Sequence, residues 1–436
     1  MTASPTGHKR PRAVRAAAAA AAVLAGVYLA VVLPMIVLDV PGDGRARYDQ
    51  DVYHLPTIER FAEQWPTPDV SDYPSATTPG YHLVLAGVRA WGGAPLGTLR
   101  LAGAAFGLAL LAAWGAALGR RAGAGHGVVM GLPLATSLYV LASGVWLLPD
   151  NAGWLGVLGV WWWALGASST AWLTIGGGVA LVWTVAMRQS HLWAAAPLWV
   201  AAWSHAAKAP WRRLAWVALA TAGAFAVVLA FAALWGGLVP PTFQQGEVKM
   251  VGPNPATPVL VLAVFGVVGS AYAGYWWPAA RDRVGGANAL RSWLIASAAI
   301  AGALALAVPT DMAPAAGRFG GVWRVADLAA VAGRSPVMVA LAAFGGAAVV
   351  GLLAACRPSE RWIAGVALLA FTAAQTVNAE SFQRYIDPMA IMWAGLLSAT
   401  IVQSHQGDRA AVWPYAWLGP AGLALLLGAV TAMKFL

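Results

Sequence analysis

Charge is scarce in this sequence: Asp, Glu, Lys and Arg together make up 10% of 436 residues, against 60% hydrophobic. A soluble domain carries about a quarter charged residues. A chain this apolar cannot cover a surface facing water, so lipid is its solvent. Cysteine is nearly absent, with Cys356 alone, which excludes an intramolecular disulfide and a cysteine metal cluster. Acid is scarcer than base, 17 against 27, for a net charge of +10. The excess does not gather into a nucleic-acid-binding face. Much of it sits in short clusters between apolar segments, such as Arg120-Arg121, Arg212-Arg213 and Arg281/Arg283, the pattern of cytoplasmic loops in a membrane protein. Internal repeats and paired interrupted helices of the transporter kind are not visible.

What is present is a succession of apolar segments. Residues 1–12 read as a basic cytoplasmic tail, and residues 13–436 as a single transmembrane domain. The run from about 16 to 38 is longer than a signal-peptide core and long enough to span, so it reads as an uncleaved first helix. Further spans are expected at about 96–118, 127–148, 152–166, 170–187, 191–206, 214–237, 257–278, 291–308, 336–355, 362–379, 386–403 and 411–434, thirteen in all. The 49 glycines and abundant alanine suit close helix contact. The fold class is thus all-α and polytopic.

With the N-terminus inside, the basic clusters at 120–121, 208–213, 281–283, 357–361 and 405–409 all fall in the cytoplasm. The segments 39–95, 149–151, 188–190, 238–256, 309–335 and 380–385 fall outside, and thirteen of the seventeen carboxylates fall with them. Residues 39–78 alone hold eight. In this first outer loop the spacing of Leu55, Ile58, Phe61, Ala62 and Trp65 predicts a short helix on the membrane surface, and 80–92 a second interfacial helix.

The outer side therefore combines acids (Asp49, Asp51, Asp150, Glu247, Asp311, Glu380) with Arg188, Gln189, His191, His54, Lys249, Arg318 and Arg384. An acid in an aqueous loop is ordinarily solvated surface; six such loops at one side of a helix bundle are a candidate site. A lipid-linked sugar donor presents its phosphate at this level. Arginine suits phosphate through bidentate charge-assisted hydrogen bonds, and a carboxylate can take the acceptor's proton as the C1–O bond breaks. Asp49-Gln50-Asp51 matches the three-letter pattern that holds a metal–nucleotide in soluble glycosyltransferases. A lipid-phosphate donor brings no such metal, so neither metal nor other cofactor is expected.

Tyr48-Asp-Gln-Asp-Val-Tyr-His54-Leu-Pro56 resembles the Y-M-D-E-I-F-H-I-P stretch of the dolichol-pathway α-1,2-glucosyltransferases that add the terminal glucose to the lipid-linked oligosaccharide. In the same order, Thr77-Thr-Pro-Gly80-Tyr81 resembles T-T-x-P-G-L-Y, Thr98-Leu-Arg100-Leu an L-R-F segment, and Arg188-Gln-Ser-His-Leu-Trp193 the segment R-Q-T-N-I-I-W. Glu380-Ser-Phe-Gln-Arg384-Tyr385-Ile-Asp-Pro388 resembles E-x-R-Y-F-I-x-P, and 317–324 is a looser match to N-R-H-Y-T-F-Y-V-W-K-R. The chain departs from the family at Gln50-Asp51, where the family has D-E, and at Arg318-Phe319, where its His is replaced.

The resemblance implies a GT-C fold with a catalytic first outer loop. It implies transfer of a hexose from a polyprenyl-phosphate donor, with inversion at C1, to a lipid- or polymer-linked glycan acceptor outside the membrane. Asp51 aligns with the family's Glu and is the first candidate base; Asp49 is the second. Arg384 and Arg188 are the expected phosphate ligands. Gln189, His191 and Arg318 are expected at donor or sugar, and His54 orients the Asp51 region. Glu380, Tyr385, Asp150, Asp311 and Glu247 are acceptor-side or supporting. Two other classes compete: a transporter or flippase, which places charges along a mid-helix pathway, and a non-catalytic scaffold. Within the enzyme class the sugar also stays open, with aminoarabinose, mannose and arabinose as alternatives.

Overall fold

The structure, a computed structural model, describes residues 9–40, 44–166, 169–204, 210–247, 250, 252–405 and 412–435. Most of the basic tail at 1–12 and of the basic cluster at 405–409 lies outside the described residues. The protein is an all-α polytopic integral membrane protein. In hydrocarbon every peptide N–H and C=O has to be satisfied inside its own segment, so apolar runs of spanning length become helices. Among the described residues eight helices are long and apolar enough to cross: Pro11–Val37, Leu96–Ala122, Thr170–Met187, Pro210–Trp235, Ala287–Ala307, Pro336–Ala355, Gln383–Ser404 and Leu418–Phe435.

The pairs Ala124–Ala135 with Leu138–Val145, and Thr257–Ala271 with Ala273–Arg283, bend by 67° and 90° at their breaks, and count as two more spans if each is one crossing. The other three of the thirteen expected segments are helical too, but fall short of the length or apolarity that crossing needs. Asp150–Gly166 has 17 residues and Ala195–Ser204 has 10. Pro358–Thr376 spends its first turn on Ser359, Glu360 and Arg361.

The chain forms two compact units. One comprises Ala25–Ala113, Leu138–Lys249 and Val430–Leu436; the other Met1–Leu24, Trp114–Ser137 and Met250–Ala429. We refer to them as the 25–249 unit and the 250–429 unit.

In the 250–429 unit, Gln383–Ser404 is the most enclosed span, buried continuously from Tyr385 to Ile401. Helices Thr257–Ala271 and Pro336–Ala355 meet glycine to backbone. A Cβ added at Gly345 would collide with the carbonyl of Leu262, and one at Gly266 with that of Leu341. Small residues permit this approach where no hydrophobic effect drives helices together.

In the 25–249 unit, the Tyr28 hydroxyl donates to Ala104 O at 3.0 Å, and Gly107 and Gly144 leave room for its ring. The first loop folds into an unbroken helical stretch from Arg45 to Glu63, then Gly80–Gly92. The apolar stripe of Leu55–Glu63 turns into the protein: Ile58 and Phe61 are fully buried among Tyr73, Tyr81 and Leu85. On Gly80–Gly92, Val84 and Trp91 remain exposed.

Gly345→Val should push the two glycine-lined helices apart and cost about 1–3 kcal/mol, the usual penalty for overpacking, read as a lower thermal midpoint in detergent. Gly26→Ala, with nothing near the added carbon, should leave that midpoint unchanged.

Candidate active site

The loop helix changes pitch at Gln50–His54, which adopts a π turn between α-helical Arg45–Asp49 and Leu55–Glu63. A π turn fits one extra residue into the helix and rotates the residues after it. Here Asp49, Gln50, Tyr53 and His54 are buried, while the Asp51 side chain remains 48% exposed. Gln50 Oε1 accepts from Arg100 Nε at 3.0 Å and from the Leu147 backbone N–H at 3.3 Å. With its oxygen doubly engaged, the amide nitrogen is aimed the other way, and Gln50 Nε2 donates to Asp51 Oδ1 at 2.7 Å.

Arg47 Nε lies 3.5 Å from the second oxygen of Asp51. Buried Arg100 also donates to Asp39 Oδ1 at 2.6 Å, and that hydrogen bond and charge hold the Asp39 carboxyl below its ordinary range. Asp49 is placed differently: buried, with its carboxylate 2.9 Å from Arg45 Nε.

At the other end of the π turn, His54 Nδ1 and His82 Nε2 lie 2.9 Å apart, so one of the two carries the shared proton, and Ser75 Oγ is 3.4 Å from His54 Nδ1. Burial pushes His82 down to about 3. The Thr77–Gly80 stretch is fastened to the end of helix Thr170–Met187: Thr78 Oγ1 donates to Val185 O at 2.6 Å, and Gly80 packs on Ala186 O too closely for any Cβ.

Gln189 completes that junction. It accepts from the Thr78 N–H at 2.9 Å and donates to Ala76 O at 2.7 Å and Leu238 O at 2.9 Å. These bonds make it a strut between the first loop and residue 238. Arg188 and Asp150 form a buried ion pair. His191 is buried against Trp154, ring centroids 4.7 Å apart, where Gly153 leaves space for the imidazole. Burial, aided by the Arg188 charge, pushes His191 down to about 3.

Asp311, Arg318, Glu380, Arg384 and Tyr385 belong to the 250–429 unit. Arg318 donates to the Asp311 carboxylate at 2.8 Å and to the Asp311 carbonyl at 3.0 Å. Gly317 (φ +68°) lets the chain pass against Ala379 O, and Asn254 Nδ2 donates to Ala316 O at 3.1 Å and Ala379 O at 2.8 Å. Asn254 thereby knits three loops. Arg384 lies over the rings of Phe382 and Tyr385, 5.2 and 4.9 Å from their centroids, and donates to the Tyr385 hydroxyl at 2.7 Å. The Glu380 N–H donates to Asn378 Oδ1 at 3.3 Å. Glu247 ends helix Pro241–Glu247; its side chain and Lys249 lie outside the described residues. Among the described residues no three His, Cys, Asp or Glu side chains are grouped to hold a metal ion.

Several polar groups here were not among the sequence candidates. Gln50 and Arg100 form the network behind Asp51, and Asp387, buried and accepting from Gln383 Nε2 at 3.0 Å, lies within a span. An arginine in the first turns of an otherwise apolar helix, and an acid next to Pro388 inside one, are the signals that mark Arg100 and Asp387.

No family model and no curated protein matches the sequence. Among solved structures, the chain is similar to the crystal structure of ArnT from Cupriavidus metallidurans in the apo state. The sequences are 16% identical, the match covers 87% of this chain and 76% of that one, and the TM-score is 0.37.

The buried groups set how stability should depend on pH and on charge pairing. His82 and His191 are held neutral in the fold but take up a proton near 6.5 when exposed. Their contribution is therefore complete above about pH 6.5 and declines below it towards about pH 3. The thermal midpoint in detergent should fall between pH 7 and pH 5, and His82→Gln should make that slope shallower. Asp150→Ala removes the carboxylate paired with buried Arg188 and should cost about 3 kcal/mol; the double variant with Arg188→Met should recover part of the loss in the same melt.

Proposed function

We propose that the protein is a GT-C-type membrane glycosyltransferase. It moves a hexose from a polyprenyl-phosphate donor to a lipid- or polymer-linked glycan acceptor on the extracytoplasmic side, with inversion at C1. The observation that carries this reading is the Asp51 carboxylate: half exposed on a buried turn, and oriented by an amide that is itself fixed by Arg100. A base has to be accessible to its substrate and held still. Asp51 meets both conditions. Asp49, buried against Arg45, is better suited to hold the turn.

In the proposed step the acceptor hydroxyl attacks C1 while Asp51 takes its proton. The C1–O bond to phosphate breaks, its electron pair leaves with the polyprenyl phosphate, and the transition state is oxocarbenium-like. Phosphate is a weakly basic leaving group, so no general acid is required. Arg188, buried on Asp150 in the same unit, is the proposed phosphate ligand, and its partner keeps the fork oriented. Arg384 is proposed for phosphate from the sequence resemblance, and Arg318 for donor or sugar. Glu380, Tyr385 and Asp311 are proposed as acceptor-side or supporting groups on the same basis. A transporter is the second reading, favoured by one observation, the buried Asp387 inside span Gln383–Ser404.

The test is sugar transfer by the purified protein in liposomes, with radiolabelled polyprenyl-phosphate-glucose, -mannose and -arabinose and a membrane lipid extract as acceptor. Transfer from one donor should fall by about 10²- to 10⁴-fold in Asp51→Asn, the usual contribution of a general base, with the thermal midpoint retained. Unchanged transfer in that variant would remove Asp51 from the mechanism. Movement of the labelled lipid across the bilayer without transfer would favour the transporter.

A further inference from the structure

The segment 308–335 joins two spans of the 250–429 unit, Ala287–Ala307 and Pro336–Ala355, and it is drawn back onto both of their ends. Arg334 Nε donates to Leu306 O at 2.8 Å, capping the first span. Ser335, the N-cap of the second, donates through its hydroxyl to Ala326 O at 2.7 Å, and its N–H donates to Thr310 Oγ1 at 2.8 Å. The Thr310 N–H in turn donates to Gly333 O at 2.9 Å. The short helix Gly321–Asp327 is therefore fixed by hydrogen bonds at the level where the two spans end, which is the level of the membrane interface.

That helix has two apolar faces. Trp323 and Ala326 are fully buried in the protein, as any amphipathic helix would have it. On the other side Val325, and past the helix end Leu328 and Val331, are 56%, 88% and 72% exposed. They recur every three residues, so the first two share a helix face. The tight turn at Val331–Arg334, with Ala332 and Gly333 at positive φ, brings the third to the span ends. The bond from Arg334 to Leu306 O sets this segment at the end of the first span, whose side chains Ile300, Leu304 and Leu306 are also uncovered. Apolar side chains grouped in this way on a surface mark a contact. The tethers to the ends of two spans set these side chains at the level of the bilayer interface, which identifies the contact as lipid.

We infer that residues 325–331 form a membrane anchor, in which Val325, Leu328 and Val331 insert into the bilayer interface beside the ends of Ala287–Ala307 and Pro336–Ala355. Interfacial segments of this kind bury their apolar face about 5–10 Å into the headgroup and acyl boundary. The flanking Arg324, exposed on the same helix, would remain among the headgroups, where lipid phosphates accept from it. The anchor holds the 308–335 segment at a fixed depth. It does not rest on the glycosyltransferase reading.

The single, buried Cys356 makes the test direct. In the full-length protein with Cys356→Ala, Leu328→Cys and, separately, Val331→Cys carry an environment-sensitive fluorophore, and the protein is placed in phosphatidylcholine–phosphatidylglycerol vesicles. Phe344→Cys, exposed within a span, is the lipid-facing reference, and Asp282→Cys the water-facing one. The expected result is loss of emission with brominated lipid at 328 and 331, comparable to that at 344, with little loss to aqueous iodide. Quenching by iodide and not by lipid, as at 282, would overturn the anchor. Protection from both quenchers would also overturn it, because the patch would then be covered by protein. The two sites report separately, so failure of one variant to fold leaves the other to decide.

Discussion

A polypeptide in hydrocarbon has no solvent to accept its N–H groups or donate to its carbonyls, and most of this molecule obeys that constraint. Spans have to be helices, and their ends, where the ladder runs out, need partners. The chain supplies them with side chains that soluble proteins usually leave in water. Arg334 caps Leu306, and Arg361 donates to Leu353 O at 2.9 Å and Ala354 O at 3.2 Å. Ser335 serves both as the cap of its own helix and as the tether of another. With polar groups expelled to the ends, the spans have little but shape to pack with, hence the glycine-to-carbonyl contacts of Gly266 and Gly345.

The same expulsion concentrates ionisable groups in the loops, where a second constraint takes over: a buried charge or amide has to be paired. The first loop satisfies it through shared partners. Arg100 serves Gln50 and Asp39, Gln50 serves Arg100, Leu147 and Asp51, and His54 serves His82. Two acids only two residues apart end up in opposite situations. Asp49, ahead of the π turn, is buried on Arg45, while Asp51 within the turn stays at the surface with Oδ1 held by Gln50. An accessible carboxylate on a fixed support is a chemical resource, and it is what the proposed transfer reaction draws on.

The sequence candidates separate along similar lines. Arg188, His191 and Arg318 are all substantially enclosed, the arginines in ion pairs. Gln189 is committed to backbone bonds on three segments. Arg384 is held over two aromatic faces, a setting that orients a guanidinium through its flat side. A sequence shows that such groups lie near helix ends. It does not show which of them spend their hydrogen bonds on the fold.

Hydropathy and spacing alone determined the class of the protein and the place of most helices. Thr170–Met187 and Pro336–Ala355 coincide with the runs at 170–187 and 336–355, and Gly80–Gly92 and the Ile58/Phe61 stripe match their periodicity, because each is set by local burial of apolar side chains. The breaks of 67° and 90° were not legible, since hydropathy averaged along a run carries no direction. Nor was the orientation of Asp51, which depends on Gln50 meeting an arginine fifty residues away across a turn of altered pitch. Long-range hydrogen bonds of this kind exist only once the helices have packed. Tertiary structure alone therefore decided which acid is held in place and which is presented.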